Sequence, residues 1–326
     1  MMMTIRKAAQ TLCATMLCMP MAWAQNAPDL QTPPRTAPPV DRRLIDDFSA
    51  YRESYVLLNQ MRNNGWAARD EAAARVQYSF KYTWNNQSPA TSFEEELLAQ
   101  GIEVFSSYTG MFDFYAGTRD SGPVINRTSN LGFLHVRIPG QKLNLDRTAL
   151  EISLEHRSDG QVFEPTTSTG SATAQQNYAS ADSEARHFFD TLSRGSNYLG
   201  LQASWAARPA GHTLHLRAGY HLYLSQNSEI TWGPLKDSGR TIRNYDLLTL
   251  QAALPTDRHG TWSAVWRLGS SGLATDSLDL SWQAPWRHIP LYARIHLGPM
   301  NTLSNYTQRQ DSLGIGLVFA DPFASR

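Results

Sequence analysis

Between Ala149 and Gly160 the chain reads Ala-Leu-Glu-Ile-Ser-Leu-Glu-His-Arg-Ser-Asp-Gly. Leu150, Ile152 and Leu154 share one parity, while Glu151, Ser153, Glu155 and Arg157 share the other. This is the period-two pattern of a strand with one apolar and one polar face. His156 and Ser158 continue the apolar parity, so an imidazole and a hydroxyl become neighbours on the side otherwise given to leucine and isoleucine. As structure the placement is poor, because a polar group moved into apolar surroundings without a partner costs about 1–3 kcal/mol. As chemistry it is apt. A serine hydroxyl is a weak nucleophile until an adjacent base takes its proton, and the base needs a third group to fix its tautomer. A His-x-Ser triplet is unspecific by itself; the parity singles it out.

The elements that must position this pair follow from the rest of the pattern. From Tyr55 onward, alternation recurs. Val76, Tyr78, Phe80, Tyr82 and Trp84 oppose Gln77, Ser79, Lys81 and Thr83. Leu214, Leu216, Ala218, Tyr220, Leu222 and Leu224 oppose His215, Arg217, His221 and Tyr223. Similar runs end at Leu268, Ala284, Leu297 and Phe319. The polar faces carry bulky charged groups, as a polar lumen requires, and aromatics recur near the ends of the apolar faces, as in interfacial girdles. Short connections (208–211, 255–260, 286–290) alternate with longer ones (about 159–196, 225–240, 299–310), matching periplasmic turns and external loops. The segment 87–99 is long for a periplasmic turn. Twelve such segments are present, starting at Tyr55–Gln60, which predicts an all-β, 12-stranded antiparallel transmembrane barrel in the bacterial outer membrane.

Composition agrees with that compartment. Hydrophobic residues make up 41% of the 326, yet after Ala24 no run of 18 or more apolar residues provides a helical span. Arg6 and Lys7 precede the mostly apolar run Ala8 to Met21, and Ala22-Trp23-Ala24 has the small-x-small form of a signal peptidase site. Residues 1–24 therefore read as a signal peptide. Cys13 and Cys18, the two cysteines, lie inside it, so the mature chain has no thiol, disulfide or Cys-based metal site. Residues 25–50 read as a Pro-rich flexible leader and 51–326 as the barrel domain. With 29 basic and 29 acidic side chains there is no nucleic-acid footprint.

The stretch Glu155-His-Arg-Ser-Asp-Gly160 resembles the His-x-Ser-Asn-Gly signature of the outer membrane phospholipase A family, calcium-dependent barrels activated by dimerisation. Ser193-Arg194-Gly195-Ser196-Asn197 resembles the segment that supplies the family's orienting asparagine. Parity agrees independently, since Asn197 shares its face with Leu199, Leu201, Ala203 and Trp205. Glu53–Leu58, Tyr78–Lys81, Ser107–Thr109 and Leu313–Phe323 are similar to other strands of the family, the last with an aromatic assembly signal at Phe323. The resemblance thus covers about residues 50–323. It implies hydrolysis of sn-1 and sn-2 acyl esters of membrane glycerophospholipids by a homodimer. In that reading Ser158 is the nucleophile, His156 the base, Asn197 the orienter and the Gly160 amide an oxyanion donor. Calcium would be bound by the Gln161 carbonyl and the Ser193 hydroxyl of one subunit and by Ser121 of the other.

The chain departs from the family at several points. Asp159 stands where the signature has asparagine, as an added calcium ligand or a surface charge. About thirty extra residues separate Gln161 from Ser193, and Asp182 or Asp190 within them are alternatives for the third triad member. Gly110 takes the place of a glutamine that bonds across the family's dimer interface. Two other readings remain: a lipid A deacylase barrel, which also uses an outward His-x-Ser, and a non-enzymatic porin or structural barrel.

Overall fold

The computed structural model describes residues 47–64, 70–85, 89–115, 124–159, 194–225, 241–256, 258–285, 290–303, 306, 309–320 and 323. Six strands fill the first half: β1 (Ser54–Asn64), β2 (Asp70–Thr83), β3 (Glu103–Phe114), β4 (Val124–Pro139), β5 (Thr148–Ser158) and β6 (Gly195–Ala207). Six more follow: β7 (Leu214–Ser225), β8 (Leu248–Thr256), β9 (Gly260–Gly269), β10 (Gly272–Gln283), β11 (Leu291–Leu297) and β12 (Arg309–Ala320). Each pairs antiparallel with its sequence neighbours, and β12 closes on β1 with Leu313 opposite Gln60 and Leu317 opposite Val56. The result is a closed 12-stranded barrel of the outer-membrane type. Closure leaves no sheet edge unpaired, the condition for a sheet to survive in hydrocarbon. Pairing begins slightly earlier than expected, inside the stretch read as leader, where Phe48 lies opposite Tyr82.

Outside, the wall is leucine, isoleucine, valine and aromatics, with Ile152, Ile315 and Phe319 among the most exposed. Inside, charges are gathered into ion pairs. Arg137 bridges Glu103 at 2.7 Å and Glu151 at 2.7 Å, and His135 meets Glu151 at 2.8 Å. Lys81 pairs with Glu103 at 2.7 Å. Asp113 sits between Arg75 at 2.7 Å and Arg127 at 2.8 Å. On the other side, Asp279 gathers Arg267, Arg294 and His296. Buried charges persist only when paired and hydrogen-bonded, and the alternation places them where partners from facing strands can meet them.

The long connection after β2 contains the helix α1 (Phe93–Leu98), started by a capping box between Ser92 and Glu95. Its Glu96 is buried and meets Arg217 at 2.6 Å and Arg137 at 3.3 Å. Phe93 packs against His215 and Phe323 with ring centroids 4.5 and 5.4 Å apart. The segment that is too long for a turn is therefore a plug tied to the lumen wall. Phe323, read from the resemblance as an assembly signal, is 3% exposed in this plug, beneath Arg217. The outward aromatic at that end of β12 is Phe319, 68% exposed. The lumen holds a cavity of about 220 Å³ lined mostly by polar residues, among them Arg52, Gln77, Arg157, Asp246 and Arg294.

Replacing Asp113 by Ala strands two buried guanidinium groups, and breaking a buried pair in this way costs about 3–5 kcal/mol. Urea unfolding of the refolded barrel should show this loss, far larger than for a change at the exposed Leu58.

Candidate active site

The ladder between β5 and β6 puts His156 directly opposite Asn197, with Ser158 opposite Gly195. Leu150, Ile152 and Leu154 are exposed on the outer wall while Glu151, Ser153 and Glu155 are buried inside, and His156 and Ser158 continue the outer parity. Asn197 is exposed on the same side. His156 Nδ1 lies 2.8 Å from Asn197 Oδ1. A carboxamide oxygen only accepts, so Nδ1 carries the hydrogen and Nε2 of the neutral ring keeps its lone pair. The ring is thus held in the tautomer that can take a proton. Ser158 is one strand step of two residues away, about 7 Å between Cα atoms. Among the described residues the ring bonds Asn197, and no hydrogen bond joins it to the Ser158 Oγ.

The inward neighbours hold this backbone. Glu155, just before His156, accepts from Asn130 Nδ2 at 2.8 Å, Tyr198 OH at 2.8 Å and Ser153 Oγ at 2.6 Å. Arg157, between His156 and Ser158, donates to Asp246 at 2.5 Å and Tyr223 at 3.2 Å and lies over the Tyr198 ring. Two lumen anchors therefore flank the imidazole and fix which way it and Ser158 face. Sequence reading placed both residues inside but missed what they bind, because Asp246 and Tyr223 are 89 and 66 residues away. Beside and below the pair, Leu131, Phe133, Leu134, Leu154 and Leu201 form an exposed apolar wall, Leu131 directly opposite His156.

Asp159 corrects an expectation. It is fully buried, and its Oδ1 accepts from the Arg194 amide at 2.8 Å while its own amide donates to the Arg194 carbonyl at 3.0 Å. Through Oδ1 this carboxylate tacks the mouths of β5 and β6 together, and it is not a surface charge. Gly160, Gln161, Ser193, Ser121, Asp182 and Asp190 lie outside the described residues. Among the described residues no group of three or more His, Asp or Glu is arranged to hold a metal ion. At Gly110 an added Cβ would come within 2.6 Å of Tyr78 Cζ, so the present tyrosine ring and a side chain at position 110 exclude one another.

No family model matches the chain, and no curated protein matches it. Solved structures do. Outer membrane phospholipase A from Escherichia coli is 15% identical with a TM-score of 0.54, over 84% of this chain and 94% of that one. The Salmonella typhi outer membrane phospholipase dimer with bound calcium is 15% identical with a TM-score of 0.53, over 84% of this chain and 92% of that one. At such identity the likeness is one of fold.

Asp159→Ala removes a buried acceptor from the Arg194 amide, a loss of about 1–3 kcal/mol. The unfolding free energy from urea titration should fall by that amount in calcium-free buffer. A variant as stable as wild type without calcium would contradict the tacking role.

Proposed function

We propose that this barrel hydrolyses acyl esters of glycerophospholipids at its outer wall. The observation that carries the reading is the hydrogen bond from His156 to Asn197 on the lipid-facing side, beside Ser158. Polar groups on that face are costly unless they have a task, and the apolar wall beneath them suits acyl chains lying along the barrel. The resemblance of the His156–Gly160 and Ser193–Asn197 segments to the phospholipase A family supports the same reading, as does a neighbour that is a phospholipase.

In this mechanism His156 Nε2 takes the Ser158 proton as Oγ attacks the ester carbonyl carbon of the sn-1 or sn-2 chain. The Asn197 amide holds the ring through Nδ1 and stabilises the imidazolium. As the tetrahedral intermediate collapses, His156 returns the proton to the departing alcohol, leaving an acyl group on Ser158. Water, activated by the same nitrogen, then releases the fatty acid. The Gly160 amide is the proposed oxyanion donor. Calcium, when bound, supplies positive charge beside the developing oxyanion. Its proposed ligands are the Gln161 carbonyl, the Ser193 hydroxyl and Ser121 from a second copy, oxygen donors of the kind the ion favours. That assignment makes the active form a homodimer, with Gly110 and Tyr78 in place of the family's interface glutamine.

Detergent-refolded chain should hydrolyse phosphatidylethanolamine in calcium. Ser158→Ala should lower the rate by at least about 10³-fold while leaving a heat-modifiable barrel. Asn197→Ala, which frees the ring, should lower kcat by roughly 10²–10⁴-fold. Full activity in Ser158→Ala refutes the assignment, and hydrolysis of lipid A in preference to phospholipid would redirect it to deacylation of that lipid. Excess EDTA should abolish turnover and calcium restore it; turnover indifferent to chelation removes calcium from the account.

A further inference from the structure

On the other side of Ser158 from Asn197, the β4–β5 ladder pairs Ser129 directly with Ser158 and Leu131 with His156. Ser129 faces outward: its neighbour Asn130 is buried in the lumen on Glu155, and its own hydroxyl bonds outward-facing groups. Directly opposed residues on an antiparallel pair have Cβ atoms about 5 Å apart, so two serine hydroxyls stand side by side on the outer wall. Ser129 Oγ accepts from Tyr108 OH at 3.2 Å and from Asn126 Nδ2 at 3.1 Å. Both lone pairs are thereby taken, and the hydroxyl's own hydrogen is committed by neither bond. It can be given to an acceptor on the lipid-facing side. Tyr108 is held in turn by ring contacts with Tyr78 at 5.7 Å and Phe80 at 6.0 Å, while Gly110, in the same row as Ser129, carries no side chain that would intrude.

We propose that Ser129 is a substrate-contacting residue that donates its hydroxyl hydrogen to a second acceptor oxygen of the glycerophospholipid, next to the ester attacked by Ser158. The inference rests on the lipid-hydrolase reading and adds to it a specificity element: Tyr108 and Asn126 orient Ser129, and Ser129 recognises the glycerophosphate portion of the lipid. The acceptor is an oxygen of the uncleaved ester or of the phosphate. Simple acyl esters such as p-nitrophenyl palmitate have neither.

The test compares kcat/KM for a diacyl phosphatidylcholine, its lysophospholipid and p-nitrophenyl palmitate in wild type, Ser129→Ala and Ser129→Thr, in mixed micelles with calcium. Ser129→Ala should lower the ratio of phospholipid to p-nitrophenyl ester activity about tenfold, the usual worth of one substrate hydrogen bond, and Ser129→Thr, which keeps the hydroxyl, should restore it within about threefold. A lowered ratio for the diacyl lipid alone identifies the uncleaved ester; a lowered ratio for both lipids identifies the phosphate. An unchanged ratio overturns the proposal, whether neither activity falls or both fall together, the latter making Ser129 a positioning residue for Ser158. The same plate carries Ser158→Ala. Hydrolysis of p-nitrophenyl palmitate that requires Ser158 establishes the hydrolase whatever Ser129 does, whereas a wild type inert on all three esters overturns the hydrolase and this proposal with it.

Discussion

Hydrocarbon outside and ion pairs inside impose the constraint from which the rest of this molecule follows. A strand in a closed barrel has two faces and no choice about which residues go where once its first few are placed. On β5, Glu151 and Glu155 are drawn inward by Arg137, His135, Asn130 and Tyr198, and Arg157 is drawn inward by Asp246. A one-residue slip would put three charges into lipid and two leucines into a polar lumen. His156 and Ser158 are therefore held outward by partners on the opposite side of the sheet, none of which they touch. The hydrogen bond to Asn197 then becomes a matter of register, because β6 faces the same constraint through Tyr198 and Ser196, both buried.

The lumen combines ion-pair clusters with a polar cavity, and both reach the inner side of the site. Strands β2–β5 carry two ion-pair clusters, one of Arg137, Glu103 and Glu151 that α1 joins through Glu96, and one of Asp113 with Arg75 and Arg127. The polar cavity is lined from both halves of the barrel, with Arg157 and Tyr198 behind the site among its walls. The strands that carry Ser129, His156, Ser158 and Asn197 are backed by Glu155 on Asn130 and Tyr198 and by Arg157 on Asp246, so the outer wall there is supported by charge-assisted bonds. A surface meant to orient an imidazole gains from such backing, since positional slack at a reacting group is expensive in rate. Asp159 extends the same logic to the mouth of the barrel, where it joins β5 to the chain entering β6.

Much of this was legible in the sequence, for a physical reason. Period-two alternation is a direct record of two different solvents, and it marks β2, β5, β7 and β12 without ambiguity. It is why the outward parity of His156, Ser158 and Asn197 could be read before any coordinates. Where the alternation breaks, legibility ended. On β4 the register shifts opposite Phe105–Ser107 and again opposite Met111–Phe112, so inward residues run Ile125, Arg127, Asn130, His135 and Arg137 with uneven spacing. Ser129 was invisible as a neighbour of Ser158 for that reason. As a surface charge Asp159 misled because a carboxylate beside a loop ordinarily faces solvent, and its partner, the Arg194 amide, lies 35 residues on. The plug was hidden because Phe93, Glu96 and Phe323 are tied to one another through Arg217, a contact set that no local pattern encodes.

The central claim is that Ser158 is the nucleophile and that His156, tuned by Asn197, activates it from the outer wall. Peptide mass spectrometry of the refolded chain after exposure to an alkyl sulfonyl fluoride in calcium tests it most directly. The account predicts a single adduct on the peptide containing Ser158, formed much more slowly when His156 is replaced by Ala. An adduct on another residue, or labelling of Ser158 at the same rate without the imidazole, would contradict it.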